Sequence, residues 1–307
     1  MNCMAAGAGI LAVVILTPCI CAQEKVSPEL TGSYLGQEPP GDTPRVFAPG
    51  VISTDSAHEF AISFAPSGQE VLFTRRIEGV VKNRIYHVKC EGGVWQSPQL
   101  SPLSDGNTEL EPNFTPDGRT VFFNSWRPLP DSVETGNGMN VWFATRESGE
   151  WKISGVLGPP VSDLNPVYVT QTRDSTIYFT GNVERGVYLA RCNSGRYSSW
   201  ERLPDEINSQ YWAGHPFIDP DEKHILFDSN VDSLGTKNLF ISFRHGSGEW
   251  SPAVNVNEHL DFPYHAAMPH VTHDGRFLFF SSRGDIYWVS ASFLTDIKSQ
   301  TAEESFE

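Results

Sequence analysis

The sequence has few cysteines and few positive charges. It contains five cysteines, and three of them lie within the first 22 residues, which leaves Cys90 and Cys192 for the folded chain. Two cysteines are too few for a disulfide framework. Lys and Arg number 22 against 37 Asp and Glu, which gives a formal net charge of −15. That charge repels phosphate backbones, so we expect no nucleic-acid partner.

Long apolar runs are also missing beyond the N-terminus. Residues 5–16 form an uncharged apolar run that is too short for a comfortable membrane span. The run is typical of a secretory signal, and cleavage after Ala22 places Ile20 and Ala22 where a signal peptidase reads. We predict a signal peptide over residues 1–22, a periplasmic or secreted protein, and no transmembrane segment in the mature chain. A lipoprotein anchored at Cys19 is the alternative, because residues 16–19 roughly resemble a lipobox.

A turn followed by an apolar strand recurs along the chain. Its copies begin at Pro66, Pro116, Arg173, Pro220 and His273, about 50 residues apart. A Gly-x-Trp marker keeps the same period at residues 93–95, 149–151 and 248–250, with a longer variant over residues 195–200. Two markers with one period predict five copies of one unit. No segment shows helical periodicity over a dozen residues.

Each copy predicts four antiparallel strands, because an Asp-Gly turn between apolar runs is typical of a hairpin. A four-stranded unit of about 50 residues is a propeller blade. The fifth copy stops after its third strand, whereas residues 43–47 resemble the fourth strand of an earlier copy. We therefore predict an all-β, closed five-bladed β-propeller over residues 43–293, with strand 43–47 closing the last blade; six blades are the alternative. A Pro/Gly-rich leader over residues 23–42 and a flexible acidic tail over residues 294–307 flank it.

The turn motif resembles the TolB-type propeller repeat, a bacterial relative of the WD repeat with the hallmark F-[ST]-P-D-G-[RK]. Residues 114–119 match the hallmark fully, and residues 64–69 and 271–276 match it partly, whereas the third copy has lost the Pro and the Gly. The resemblance covers roughly residues 57–293 and implies a periplasmic or surface-exposed propeller. It implies no activity, because this repeat serves partner-binding modules, sensor domains and accessory domains of enzymes.

Propeller geometry predicts two unlike faces. The Asp-Gly and Gly-x-Trp turns share one face, the short-turn face, and the connections between blades and between second and third strands share the other, the loop face. Function concentrates in loops on a rigid scaffold, so we place the candidate ligand-binding residues on the loop face. They are Glu109, Glu111, Trp126, Arg127, Tyr211, Trp212, His215, Asp228, Tyr264 and His265.

The favoured function is a non-catalytic binding or scaffold module for a protein or polysaccharide partner in the cell envelope, without a cofactor. The alternative is a carbohydrate-active hydrolase or lyase that uses carboxylates at the channel mouth, such as Glu109 and Glu111. Tryptophans beside charged groups are typical of a carbohydrate-binding surface. His58, His215 and His265 come from different blades without metal-ligand spacing, so we predict no metal site.

Overall fold

The computed structural model describes residues 30–77, 79–130, 138–208 and 212–304. Within them the chain forms five blades of mostly four antiparallel strands, and blade 5 combines the last three strands with one strand from the N-terminal part of the chain. The prediction of an all-β, five-bladed β-propeller is confirmed. The predicted signal peptide, residues 1–22, lies outside the described residues.

Two short strands precede the first blade: β1 (Leu30–Thr31) and β2 (Arg45–Val46). The strands of blade 1 are β3 (Ala57–Phe64), β4 (Glu70–Ile77), β5 (Arg84–Glu91), β6 (Val94–Trp95) and β7 (Gln99–Leu100). Those of blade 2 are β8 (Glu109–Phe114), β9 (Thr120–Ser125), β10 (Asn140–Glu147) and β11 (Glu150–Val156).

The strands of blade 3 are β12 (Pro166–Gln171), β13 (Ile177–Gly181), β14 (Gly186–Ala190), β15 (Cys192–Asn193), β16 (Arg196–Tyr197) and β17 (Glu201–Arg202). Those of blade 4 are β18 (Ala213–Ile218), β19 (His224–Asn230), β20 (Lys237–Phe243) and β21 (Val254–Asn255). Blade 5 contains β22 (Ala267–Val271), β23 (Phe277–Ser282) and β24 (Asp285–Ser290), and α1 (Phe293–Glu304) follows it. Short 3-10 helices span Ser33–Gly36, Ser162–Leu164 and Val256–His259.

Local hydrogen bonds hold the turn between the first two strands of a blade. In blade 2, Thr115 Oγ1 donates to Asp117 Oδ1 over 2.7 Å, and the same carboxylate oxygen accepts a backbone N–H two residues further on. The third copy keeps both bonds through Thr172 and Asp174, although it lacks the Pro and the Gly. The Thr and Asp side chains therefore preserve this turn where the sequence motif has degenerated.

The N-terminal strand β2 completes blade 5. It pairs antiparallel with β24, with Arg45 opposite Trp288 and Val46 opposite Tyr287. The joint is packed by aromatic rings, because Phe47 lies 5.0 Å from Phe279 and 5.1 Å from Trp288, centroid to centroid. The first and last parts of the propeller are thereby held in one sheet, which covers an edge that would otherwise be open.

The chain before β2 packs against blades 1 and 5. β1 pairs with β6, and the Gly32 carbonyl accepts a 2.7 Å hydrogen bond from Trp95 Nε1. Tyr34 donates its hydroxyl to Asp274 Oδ2 over 2.8 Å, and Leu35 is fully buried. The described part of the predicted Pro/Gly-rich leader is therefore a strap that bridges two blades.

Helix α1 occupies residues 294–304 of the acidic tail that the sequence predicted to be flexible over residues 294–307. Leu294 and Ile297 lie three residues apart, on one face of the helix, and both are buried in the core of blades 4 and 5 with Leu278 and Val289. Asp296 and the other polar side chains of the first turns face solvent. The acidic composition predicted a flexible segment, whereas the apolar stripe formed by Leu294 and Ile297 docks the helix on the propeller.

Candidate functional site

Each innermost strand of the propeller carries a β-bulge at the same position. The register with the second strand shifts there in all five blades. The bulged residues have positive φ angles between 47° and 58°, and they are Ala61, Glu111, Tyr168, His215 and Met268. A bulge re-aims a side chain, and a non-glycine residue at positive φ stores strain. The equivalence of Glu111 and His215 in the sequence repeat is thus reproduced in the fold.

A ring of side-chain hydrogen bonds fixes these bulges from blade to blade. The backbone N–H of every bulged residue donates to a polar side chain on the second strand of the preceding blade, over 2.7 to 3.1 Å. The acceptors are, in order of blades, Ser281, Thr74, Asn124, Thr180 and Asp228. Only Asp228 brings a charge to this ring.

Glu111, His215 and Asp228 meet where the bulges of blades 2 and 4 face each other. His215 Nδ1 lies 2.6 Å from Asp228 Oδ2, and His215 Nε2 lies 3.8 Å from Glu111 Oε1. Lys237 Nζ donates to the other oxygen of Asp228 over 2.7 Å. Glu111 Oε2 is buried and has no hydrogen-bond partner. One imidazole therefore has a carboxylate near each of its two nitrogens, and one carboxylate oxygen is left to accept a bond.

Aromatic rings enclose this imidazole. Tyr168 packs edge-to-face on His215 at 5.3 Å, and Trp212 does so at 5.4 Å. The Lys237 ammonium lies 3.7 Å from the centre of the Trp212 ring, a cation–π contact. The Tyr168 hydroxyl donates to the Pro269 carbonyl of blade 5. We call Glu111, Tyr168, His215, Asp228 and Lys237 the axial cluster; it joins residues of three blades.

The two carboxylates of the axial cluster have pKa values that move in opposite directions. Burial raises the pKa of Glu111, and the nearby Asp228 charge adds to the rise. Burial also pushes the pKa of Asp228 upward, but His215 and Lys237 outweigh it and hold that pKa below its ordinary value. Asp228 is thus the ionised partner and Glu111 the carboxyl that retains its proton more readily, a division that suits acid–base roles.

Glu109 and Arg127 belong to a different network, between blades 1 and 2. Arg84 approaches Glu109 to 3.5 Å, while burial raises the pKa of Glu109 to about 7, with Asp105 adding to the rise. Arg127 donates to the Leu103 carbonyl over 2.6 Å and lies 3.5 Å from Asp105. Glu109 is therefore not brought together with Glu111, and the pair predicted from the sequence serves two separate sites.

Three further candidates lie on the rim of the loop face. Trp126 is 58% exposed, and Tyr264 is 45% exposed with Arg283 stacked 4.2 Å from its ring centre. His265 is exposed, and its carbonyl accepts from Ser282. Tyr211 lies outside the described residues.

Metal binding and membrane spanning find no support in the described structure. Among residues 30–77, 79–130, 138–208 and 212–304, no group of three His, Cys, Asp or Glu side chains is arranged to hold a metal ion. Over the same ranges, no helix has the length and apolar character needed to cross a membrane. Cys90 and Cys192 are both free.

No family model matches the chain, and no curated protein is similar to it. The endo-arabinase from Bacteroides thetaiotaomicron is 11% identical over 78% of this chain and 96% of that one, with a TM-score of 0.51. TolB from Acinetobacter baumannii is 12% identical over 77% of this chain, with a TM-score of 0.46, and this chain spans 55% of that protein. A gluconolactonase from Xanthomonas campestris is 10% identical over 87% of this chain and 98% of that one, with a TM-score of 0.44.

At such low identity these likenesses concern the fold alone. The chain is a five-bladed β-propeller. Its structure is similar at low identity to TolB propellers and also to propellers named for other functions. Membership of the TolB-type repeat family stays a prediction.

The sequence did not single out two members of the axial cluster. Tyr168 follows the same spacing before its turn as Glu111 and His215 do, so the repeat alignment contained the signal, but the degenerate third motif obscured it. Lys237 opens β20 and reaches Asp228 across the sheet, a contact that depends on strand pairing. No pattern in the sequence marks that lysine.

Proposed function

We propose that this protein is an exported, non-catalytic binding module that docks a partner protein of the cell envelope on its loop face. The observation that carries the proposal is a circle of exposed apolar side chains on that face. Each sits in the connection between the second and third strands of its blade: Val81 (94% exposed), Trp126 (58%), Val183 (64%) and Leu234 (91%). An apolar side chain exposed at the same connection in four successive blades is the recurring feature that a partner protein would cover on this face.

The axial cluster adds a buried polar group behind this face, with Tyr168 and Asp228 fully buried and Lys237 half-buried. Glu111 Oε2 has no partner, and Lys237 and Trp212 are only half-buried above it. Interfaces commonly combine apolar anchors with a few buried polar groups that set specificity. With a net charge of −15 on this chain, we expect the partner to present apolar side chains around a donor or cation.

Variants of the loop tips test the proposal. Envelope extract is passed over immobilised wild-type protein, a Val81→Ser/Leu234→Ser double variant, and an Ile153→Ser control, whose exposed isoleucine lies on β11 away from the loop tips. We expect one partner to be captured by the wild type and the control, and its affinity for the double variant to fall at least about tenfold, since hot-spot truncations cost 2 kcal/mol or more. Equal capture by all three proteins contradicts the proposal.

Carbohydrate hydrolysis is the second candidate, and the divergent pKa values of Glu111 and Asp228 favour it. In this scheme Glu111 is the general acid, and His215, oriented by Asp228 through Nδ1, is the general base. Exposed Trp126 and Tyr264 and half-buried Trp212 offer flat platforms for sugar rings.

Turnover on a panel of oligosaccharides decides between the two candidates. A hydrolase loses at least about 10²-fold in kcat with Glu111→Gln or His215→Asn, whereas Glu109→Gln retains it. On the alkaline side, kcat/KM falls as the pH exceeds the raised pKa of Glu111, because the acid must be protonated. The absence of products from every substrate, with partner capture intact, rejects hydrolysis.

A further inference from the structure

A cavity lies on the short-turn face of the propeller, where the innermost strands end at their turns. Its volume is about 400 Å³, within the range of small-molecule sites. Phe64, Phe114 and Phe217 contribute aromatic walls from blades 1, 2 and 4. Leu294 and Lys298 of α1 form one side of its mouth. The docked C-terminal helix therefore contributes to the shape of the cavity.

His270 in the wall of this cavity has an unsatisfied nitrogen. The ring is buried, and burial lowers its pKa to about 3, so the imidazole is neutral at physiological pH. The Phe64 backbone N–H donates to Nε2 over 3.3 Å, which places the remaining ring proton on Nδ1. Nδ1 has no hydrogen-bond partner. His270 therefore places a buried N–H donor without an acceptor in the wall of the cavity.

A second histidine and a lysine line one side of the cavity. The lining carries both signs of charge, but its carboxylates, Asp219, Asp221 and Asp274, are each engaged by hydrogen bonds or ion pairs within the protein. His224 lines the cavity, its Nε2 is buried without a partner, and burial lowers the pKa of this imidazole. Lys298 is exposed at the mouth, close enough to His224 to act on its pKa, and makes no ion pair among the described residues. Arg173 and Lys223, in contrast, are both paired with Asp221. Lys298 is therefore the cation best placed to meet a ligand.

We propose that the cavity on the short-turn face binds a small aromatic carboxylic acid. The ring of this ligand lies between Phe64, Phe114 and Phe217. Its carboxylate points towards Lys298 and the side of the cavity that His224 and His270 line. The flat apolar walls select a ring, the cavity volume limits it to a small molecule, and the free cation selects the negative charge. This site is independent of the loop-face partner proposed above, because it lies at the other end of the propeller.

Fluorine NMR of the full chain with 4-fluorobenzoate tests the site. We expect saturable line broadening with wild type, and weaker binding with Lys298→Gln by about two- to fivefold, the effect of one exposed charge. Lys298→Glu, which reverses the charge on an exposed position, is expected to weaken binding further. Lys152→Gln, an exposed lysine of blade 2, is the matched control and should bind as the wild type does.

Three further measurements test whether the probe binds at this site and through its charge. Glu111→Gln should bind the probe normally, which separates this site from the loop face. The uncharged 4-fluorobenzyl alcohol should bind more weakly than 4-fluorobenzoate. His270→Gln keeps an acceptor for Phe64 N–H but moves the donor, so it should weaken binding while thermal unfolding confirms that it is folded. No saturable binding, equal affinity of the two probes, or Lys298→Glu binding like wild type each overturns the proposal.

Discussion

Asp228 occupies a position that recurs in every blade, where Ser281, Thr74, Asn124 and Thr180 fulfil the same backbone role with neutral groups. Its charge is compensated by Lys237 at 2.7 Å and by His215 at 2.6 Å. Asp228 thus has two roles. It holds the bulge of the next blade through the Met268 N–H, and it orients the imidazole of His215 in its own blade.

Removing Asp228 should therefore cost more than removing a neutral member of the ring. Asp228→Ala leaves Lys237, His215 and the Met268 N–H without their partner, and we expect the free energy of unfolding to fall by about 3–5 kcal/mol. Thr180→Val removes one neutral hydrogen bond to the His215 N–H and should cost about 1–2 kcal/mol. Urea denaturation at neutral pH measures both; equal losses would contradict a special role for the charge.

Glu109 gives the protein a specific pH dependence. Burial raises its pKa from 4.5 to about 7 in the folded chain, so the folded state holds a proton that the unfolded state releases between those values. Stability from this carboxyl is present below pH 4.5 and is lost as the pH rises through about 7. Glu109→Gln removes that loss, and its stability relative to wild type should increase from pH 4.5 to pH 8.

Urea unfolding of wild type and Glu109→Gln across this pH range checks the expectation. Glu150→Gln is the control, because Glu150 is an exposed carboxylate of the same blade. A constant difference between wild type and Glu109→Gln at all pH values would show that folding does not shift the pKa of this carboxyl.

At the scale of elements, α1 and the strap around Tyr34 show where sequence patterns are weak. The turn and tryptophan markers predict strands because each sits in a repeated unit that can be compared with four others. α1 has no repeat, and only Leu294 and Ile297 are apolar and buried in a polar stretch. Tyr34 and Leu35 adopt positive φ angles, and their burial depends on contacts with distant blades. A local sequence pattern therefore predicts neither the docking of α1 nor the burial of the strap.

Helix α1 should contribute to stability through Ile297. This side chain is 1% exposed, in the same cluster as Leu278 and Val289. Ile297→Ala is expected to lower the free energy of unfolding by about 2–5 kcal/mol, the usual loss for a buried isoleucine. Asp296→Ala, on the exposed side of the same helix, should change it by less than about 0.5 kcal/mol. Similar values for the two variants would mean that the helix does not dock.

At the scale of the whole molecule, the period of the sequence predicted the number of blades and the two faces. It also predicted that Glu111 and His215 take equivalent positions, because the distance from bulge to turn is constant in the repeat. It could not predict which pairs meet, because convergence across the axis depends on how the ring closes. Glu109 and Glu111 are close in sequence but lie in different networks, whereas Glu111 and His215 are distant in sequence and lie in one.

The central claim is that blades 2 and 4 bring Glu111 and His215 together at the axis of a closed ring. A double-mutant cycle with Glu111→Gln and His215→Asn, read by urea denaturation, tests it most directly. Groups 3.8 Å apart should show a coupling free energy of at least about 0.5 kcal/mol. The control cycle of Glu109→Gln with His215→Asn should be additive within about 0.3–0.5 kcal/mol. Additivity in the first cycle, with both single variants folded, would contradict the convergence of the two blades.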